Sequence, residues 1–141
     1  MADTLELVIV TPDKLLLRGP VEGVQIPGKN GELGVLPGHA PLITELTIGE
    51  ISYRQGANTH YIAVAWGFAE VLPNKVTILA DTAERAEEID VKRAQEAKAR
   101  AEEALRQGAA DLDFQTALHA QHRAEVRLQV ATRAGHATAA H

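Results

Sequence analysis

His119 and His122 stand three residues apart in FQTALHAQHR, a spacing that lets two imidazoles of one helix share a metal ion. No third ligand follows nearby, HExxH is absent and the chain has no cysteine, so solvated surface histidines are the better account and no metal is expected. Gly28-Lys29-Asn30-Gly31 sets a lysine among glycines, but a phosphate loop needs GxxxxGK[ST] opening a helix, and this segment suits a β-turn. His39 and His60 lack a neighbouring nucleophile or carboxylate motif, Ser52 is the only serine, and GxSxG is missing. The residues therefore point away from catalysis. What remains is arginine. Arg93 and Arg100 are two turns apart on one helix face, roughly 10.5 Å along the axis. His119, Arg123 and Arg127 form a second single-face stripe at i, i+4 and i+8. Guanidiniums that converge without stacked carboxylates repel one another unless a polyanion or acidic surface lies between them. The alternative turns them outward to pair with Glu87, Glu96, Glu103 and Glu125, and on physical grounds alone it is favoured.

Such stripes need helices, and the chain changes period to supply them. From Glu87 onward Gly and Pro vanish until Gly108, and Ala, Glu, Lys, Arg and Gln, strong helix formers, dominate. Asp90 is a good N-cap for a helix over about 90–106. Gln107-Gly108-Ala109-Ala110 stops it, and Asp111 and Asp113 favour a second helix over about 112–133, with fraying after Gly135. A short connection favours an antiparallel hairpin, which places Arg93 and Arg127 at one level. Its expected seam, Val91, Ala94, Ala97, Ala101, Ala104 and Leu105 against Phe114, Ala117, Leu118, Ala124 and Leu128, is rich in alanine. At about 0.8 kcal/mol per buried methylene such a seam holds weakly, which suits a switch; a tightly packed static pair is the other reading. Residues 87–113 carry five Lys/Arg against eight Asp/Glu, and 114–141 three Arg against Glu125 alone, which suits either antiparallel pairing or docking of the second helix on an acidic partner.

Up to about Ala80 the pattern is of short strands with turn signals every eight to twelve residues. Leu5–Val10 opens it; Val21–Ile26 puts Val24 and Ile26 on one face; Ile51–Arg54 and His60–Val64 flank a turn at Gln55-Gly56-Ala57-Asn58. GELGVLPGHAPL, Gly31 to Leu42, is too punctuated for a helix and suits strand, tight turn, strand. Phe68–Leu72 and Val76–Ala80 flank a turn at Pro73-Asn74-Lys75. The expected fold is α+β in two domains: an antiparallel β-sandwich over 1–86, then a two-helix hairpin over 87–141. The 141 residues, 45% apolar, allow this. A net charge of −5 argues against nucleic acid. With no bilayer-length apolar run and no leader after Met1, any membrane association is expected to come through a partner.

In this order GELGVLPGHAPL, AWGFAEVLPNKVTILAD and IDVKRA resemble the epsilon subunits of the bacterial F-type ATP synthases, over nearly the whole chain. The first two segments are specific over consecutive residues; IDVKRA is shorter. The resemblance implies a non-catalytic rotor part of the central stalk, whose sandwich joins the gamma subunit to the c-ring and so passes proton-driven rotation to the alpha/beta catalytic head. It implies a peripheral position on the cytoplasmic face of the inner membrane. In this family [IL]DxxRA marks an ATP site in the folded hairpin. Ile89, Asp90, Arg93 and Ala94 match it; Arg100, Arg123 and Arg127 suit its further arginines, and Glu84 an acidic residue upstream. ATP would be regulatory, and no cofactor is required. Glu32 and His39 are read as polar residues of one exposed loop, either stabilising its turn or facing the c-ring and gamma. Opened, the hairpin would bring Arg123, Arg127 and Arg133 to acidic loops of the beta subunits and block ATP hydrolysis. The alternative is a stand-alone ATP-sensing module, marked by ATP binding without affinity for gamma.

Overall fold

A computed structural model describes residues 3–108 and 110–139, and for residues 111, 112 and 134–139 the backbone alone. The chain divides into two compact units, Met1–Glu84 and Arg85–His141. In the first unit the strands are β1 (Leu5–Val10), β2 (Leu15–Val21), β3 (Gly23–Gly28), β4 (Gly31–Val35), β5 (Leu42–Leu46), β6 (Gly49–Gln55), β7 (Asn58–Leu72) and β8 (Lys75–Arg85). They form one sheet in the order β2-β1-β8-β7-β5-β3-β4, with β6 bridging β3 and β7.

All eight strands give side chains to one apolar core, among them Leu7, Val21, Ile26, Val35, Leu46, Ile51, Val71 and Ile78, so the sheet folds over on itself as a sandwich. Alternation selects them: Val76, Ile78 and Ala80 of β8 are buried while Leu79 and Asp81 between and beyond them are exposed. Pairing is antiparallel in β1–β2, β3–β4, β3–β5, β3–β6, β5–β7 and β6–β7, but β1 runs parallel to β8. A wholly antiparallel sheet is thus corrected at that one ladder, where the first strand closes against the last. The expected strand 21–26 is broken at Glu22, whose carboxylate accepts from the Gly56 N–H at 3.0 Å and from Arg54 Nε at 3.3 Å.

Two segments expected as separate strands, 60–64 and 68–72, are halves of β7. The core side chains switch from Ile62 and Val64 to Ala69 and Val71, from even to odd positions. The switch occurs at Trp66 (φ 60°) and Gly67 (φ 120°), two consecutive left-handed residues that re-aim the strand. Before them β7 pairs with β6 through Gly49↔Val64; after them it pairs with β5 from Leu46↔Gly67 onward.

In the second unit a 3₁₀ turn, Ala86–Glu88, leads into α1 (Val91–Arg106), then α2 (Asp111–Ala139). α2 outruns the expected end at 133 and passes through Gly135, where fraying was expected; Ala140 and His141 lie outside the described residues. The helices pack on each other across a four-residue connection, as an αα-hairpin. Ala94 and Ala101 of α1 are buried, as are Ala117, Ala124, Val126 and Val130 of α2. Counted from the turn, Ala101 stands five positions before Arg106 and Ala117 six past Asp111; Ala94 stands twelve before and Ala124 thirteen past, so small residues meet small at two levels. Val91, Phe114 and Leu118, expected inside, are exposed, and the valines at 126 and 130 supply the larger buried side chains instead.

Candidate functional site

IDVKRA forms the start of α1. Ile89 precedes the N-cap and is buried; its N–H donates to the Ala86 carbonyl at 3.4 Å, closing the 3₁₀ turn. Asp90 has extended backbone (φ −82°, ψ 100°), and its Oδ1 accepts from the Arg93 N–H at 3.0 Å, the N-cap bond. Ala94 is fully buried and Arg93 beside it is exposed. Arg100 is exposed two turns on, while Arg123 and Arg127 are half-buried on α2. Arg93 stands thirteen positions before Arg106, about 19.5 Å along the helix, and Arg123 and Arg127 stand twelve and sixteen past Asp111, about 18 and 24 Å. The hairpin therefore brings Arg93 level with the interval between those two, while Arg100 lies about 10.5 Å nearer the turn.

Arg93, Arg100 and Arg123 take no ion pair among the described residues, so for these three the pairing favoured on physical grounds is corrected. Glu103, expected to balance that stripe, is engaged by Arg106 and by Gln107 at 3.2 Å. The bond from Arg106, then that from Gln107, holds its carboxyl below the ordinary carboxylate range. Glu84 lies in β8, in the first unit, and the other candidate nucleotide residues lie in the second. No acidic side chain stands in the first turn of α1, where Lys92 and Arg93 place two cations against the positive end of the helix dipole.

Glu32 and His39 are not in one loop. Glu32 is the second residue of β4, exposed, beside the turn of the β3–β4 hairpin. His39 lies beyond the other end of that strand. There Leu36-Pro37-Gly38-His39 makes a type II turn: the His39 N–H donates to the Leu36 carbonyl at 3.1 Å, and Gly38 has φ 90° at the position that demands it. The Gly38 N–H donates to the Pro73 carbonyl at 2.7 Å, tying this turn to the β7–β8 turn. The His39 ring approaches the Ala40 carbonyl at 2.7 Å through Nδ1, which must therefore carry the proton. Arg133 is exposed on α2.

Two surface features escaped the sequence. On β5, β7 and β8, Ile43 (69% exposed), Phe68 (51%) and Leu79 (54%) point outward. Glu45 pairs opposite Phe68 and Ile43 opposite Glu70, which puts Ile43 and Phe68 on one face. The signal was their phase, odd in β5 and β8 and even in β7 beyond the kink. The other feature is a groove of about 490 Å³ lined by Gly23, Gln25, Gly34, Leu36, Ser52 and Arg54, which includes none of the candidate residues. Among the described residues no three His, Asp or Glu group as a metal site, and no helix is long and apolar enough to cross a membrane.

Comparison with known proteins agrees with this division. The ATP synthase, Delta/Epsilon chain, beta-sandwich domain matches residues 4–86, and the long alpha-helix domain of the same chain matches residues 87–132. An ATP synthase epsilon chain of Koribacter versatilis is 71% identical over 74% of this chain and 74% of its own. Those of Nitratidesulfovibrio vulgaris and Solibacter usitatus are 49% and 50% identical over 92% and 93% of this chain, and 97% and 98% of theirs. A chain of the Euglena gracilis mitochondrial ATP synthase shares the fold with a TM-score of 0.70 at 23% identity, covering 98% of this chain and 83% of that one. A chain of the Tetrahymena thermophila mitochondrial ATP synthase central stalk and c-ring shares it at 0.62 and 11%, covering 90% and 96%. With both domains matched in order and relatives near half identical over almost its whole length, the chain belongs to the ATP synthase delta/epsilon chain family, as a bacterial F-type epsilon chain.

Proposed function

We propose that this chain is a non-catalytic rotor part of the central stalk, which joins gamma to the c-ring and regulates hydrolysis through its helices. The observation that carries the reading is the match of both family domains over residues 4–132. The outward Ile43, Phe68 and Leu79 support a protein partner on the first unit, because burying apolar side chains of this size lowers their free energy relative to water. That partner is gamma. Glu32 and His39 are offered to gamma or to the polar loops of the c-ring. The protein then lies peripherally on the cytoplasmic face of the inner membrane, held there by the complex.

For the hairpin, the reading is a regulatory ATP site built on Arg93, Arg100, Arg123 and Arg127, with Ile89, Asp90 and Ala94 around it. Its support is the absence of ion pairs on the first three of these arginines among the described residues, and the cationic first turn of α1. A triphosphate between the helices would relieve their mutual repulsion. Without it the hairpin opens, and Arg123, Arg127 and Arg133 meet acidic loops of the beta subunits in the alpha/beta head. Calorimetric titration with ATP, with and without Mg²⁺, tests this. The wild type is expected to bind, and the Arg93→Ala, Arg127→Ala double variant to bind at least tenfold more weakly. No binding by the wild type would remove ATP from the hairpin and leave the rotor reading standing.

A further inference from the structure

The turn at Gly28-Lys29-Asn30-Gly31 is used by none of the roles above, and it carries a reactive pair. Of the three asparagines Asn30 alone is followed by glycine; Asn58 precedes Thr59 and Asn74 precedes Lys75. The backbone nitrogen after an asparagine can attack its side-chain carboxamide, and the side chain of that next residue ordinarily crowds the approach. Gly31 has none, and a Cβ built on it would meet nothing within 4 Å, so that side of the residue is open. Asn30 is exposed, and its carboxamide takes no hydrogen bond among the described residues. The bonds that tether the turn fall on the residue before it: the Lys29 N–H donates to the Glu45 carbonyl and Lys29 Nζ pairs with Glu45 Oε2, both at 2.9 Å. β4 stands at the edge of the sheet, paired with β3, and of its residues only Val35 at the far end is buried, so the turn opens at little cost.

We infer that Asn30 is a site of spontaneous modification, deamidating through a succinimide to isoaspartate and aspartate with water as the only co-reactant. The Gly31 nitrogen attacks Asn30 Cγ; the new C–N bond replaces the one to the side-chain amide, and ammonia leaves with the proton from Gly31. Water then adds to either carbonyl of the ring. Cleavage of the ring bond at Cγ restores the main chain and leaves aspartate, whereas cleavage at the Asn30 carbonyl carbon routes the main chain through the side chain and leaves isoaspartate. Nothing is oxidised or reduced, and either product adds one negative charge. Isoaspartate also adds a methylene carbon to the main chain, within a short loop whose closure sets Gly28 opposite Gly31 and Pro27 opposite Glu32. The register is therefore lost at the end of β4 that carries Glu32.

The test incubates the full-length protein in neutral and in mildly alkaline buffer, with and without urea. Peptide mass spectrometry is read beside methyl transfer from S-adenosylmethionine by an isoaspartyl methyltransferase. The Asn30 peptide is expected to exchange NH for O, with isoaspartate in excess of aspartate because the ring carbonyl next to Cα is the more electrophilic. The rate should rise with pH, since the attacking nitrogen must lose its proton. In the folded protein it should lie within about tenfold of the rate in urea, because opening an edge hairpin costs far less than global unfolding. Asn58 and Asn74, which are also exposed, should stay asparagine over the same interval, and Asn30→Gln should lose the methyl acceptor. Conversion confined to urea would overturn the inference, because the folded turn would then shield the pair. So would an Asn30 that outlasts Asn58 or Asn74, a product that is aspartate alone, or undiminished methyl acceptance by Asn30→Gln.

Discussion

Gly67 shows how much one residue can decide. It holds φ 120°, and a Cβ built on it would lie 2.0 Å from the Leu79 carbonyl oxygen and 2.9 Å from the Ala80 Cα. Both obstacles are backbone, so nothing flexible can move aside. Gly67→Ala is expected to destabilise the protein by more than about 3 kcal/mol, combining a left-handed backbone penalty with displacement of β8. Gly34 is the control: a Cβ there meets nothing within 4 Å and its φ is not left-handed, so Gly34→Ala should stay within about 0.5 kcal/mol of wild type. Urea midpoints at constant slope compare the two, and equal midpoints would show that the β7 kink carries no constraint. The sequence displayed Gly67 as one glycine among eleven; its approach to β8 exists only once the strands pair.

At the scale of the element, α1 was legible at both ends. Asp90 caps the start, and Gly108, with φ 67°, follows the stop at Gln107. Its last turn is fixed by Glu103, which takes bonds from Arg106 and Gln107. Because the first and then the second of these lower the Glu103 pKa in the folded state, their contribution is present above the unfolded value and is lost as pH falls through the folded one. Arg106, whose pKa is raised chiefly by the same bond, stays charged throughout this range. The Gln107 amide should therefore exchange faster in acid, below the ordinary carboxylate range, and be insensitive to pH above it. Glu103→Gln should remove that pH step after correction for intrinsic exchange rates, and a step of unchanged size would assign it to another group. α2 was less legible. Its alanines gave no contrast between inner and outer faces, so Phe114 and Leu118 were expected inside and are exposed, while Val126 and Val130 are buried on another face of the helix from Ala124.

For the whole molecule the prediction concerns assembly. Ile43→Lys with Phe68→Lys places two charges on the outward face of neighbouring strands and leaves the core untouched. Association with the gamma subunit is expected to weaken at least tenfold, since a few buried apolar side chains carry most of an interface's free energy. Thermal stability should change little, because exposed substitutions usually lie within about 0.5 kcal/mol of neutral. Surface-immobilised gamma titrated with both proteins gives the ratio; unchanged affinity would remove Ile43 and Phe68 from the proposed gamma contact.

By itself the sequence determined that a strand region gives way to two helices, the helix cap at Asp90, and a tight turn within Gly31–Leu42. Each of these depends on φ preferences, capping oxygens and side-chain period within a few residues. The tertiary structure alone decided that β1 runs parallel to β8, and that segments 60–64 and 68–72 are one strand with a kink. It also decided that Glu32 lies within β4 and His39 beyond its end, and that Ile43, Phe68 and Leu79 face outward. These follow from which strand lies beside which, and that is settled by burying one shared core between segments far apart in the chain, a free energy to which no local window of residues has access.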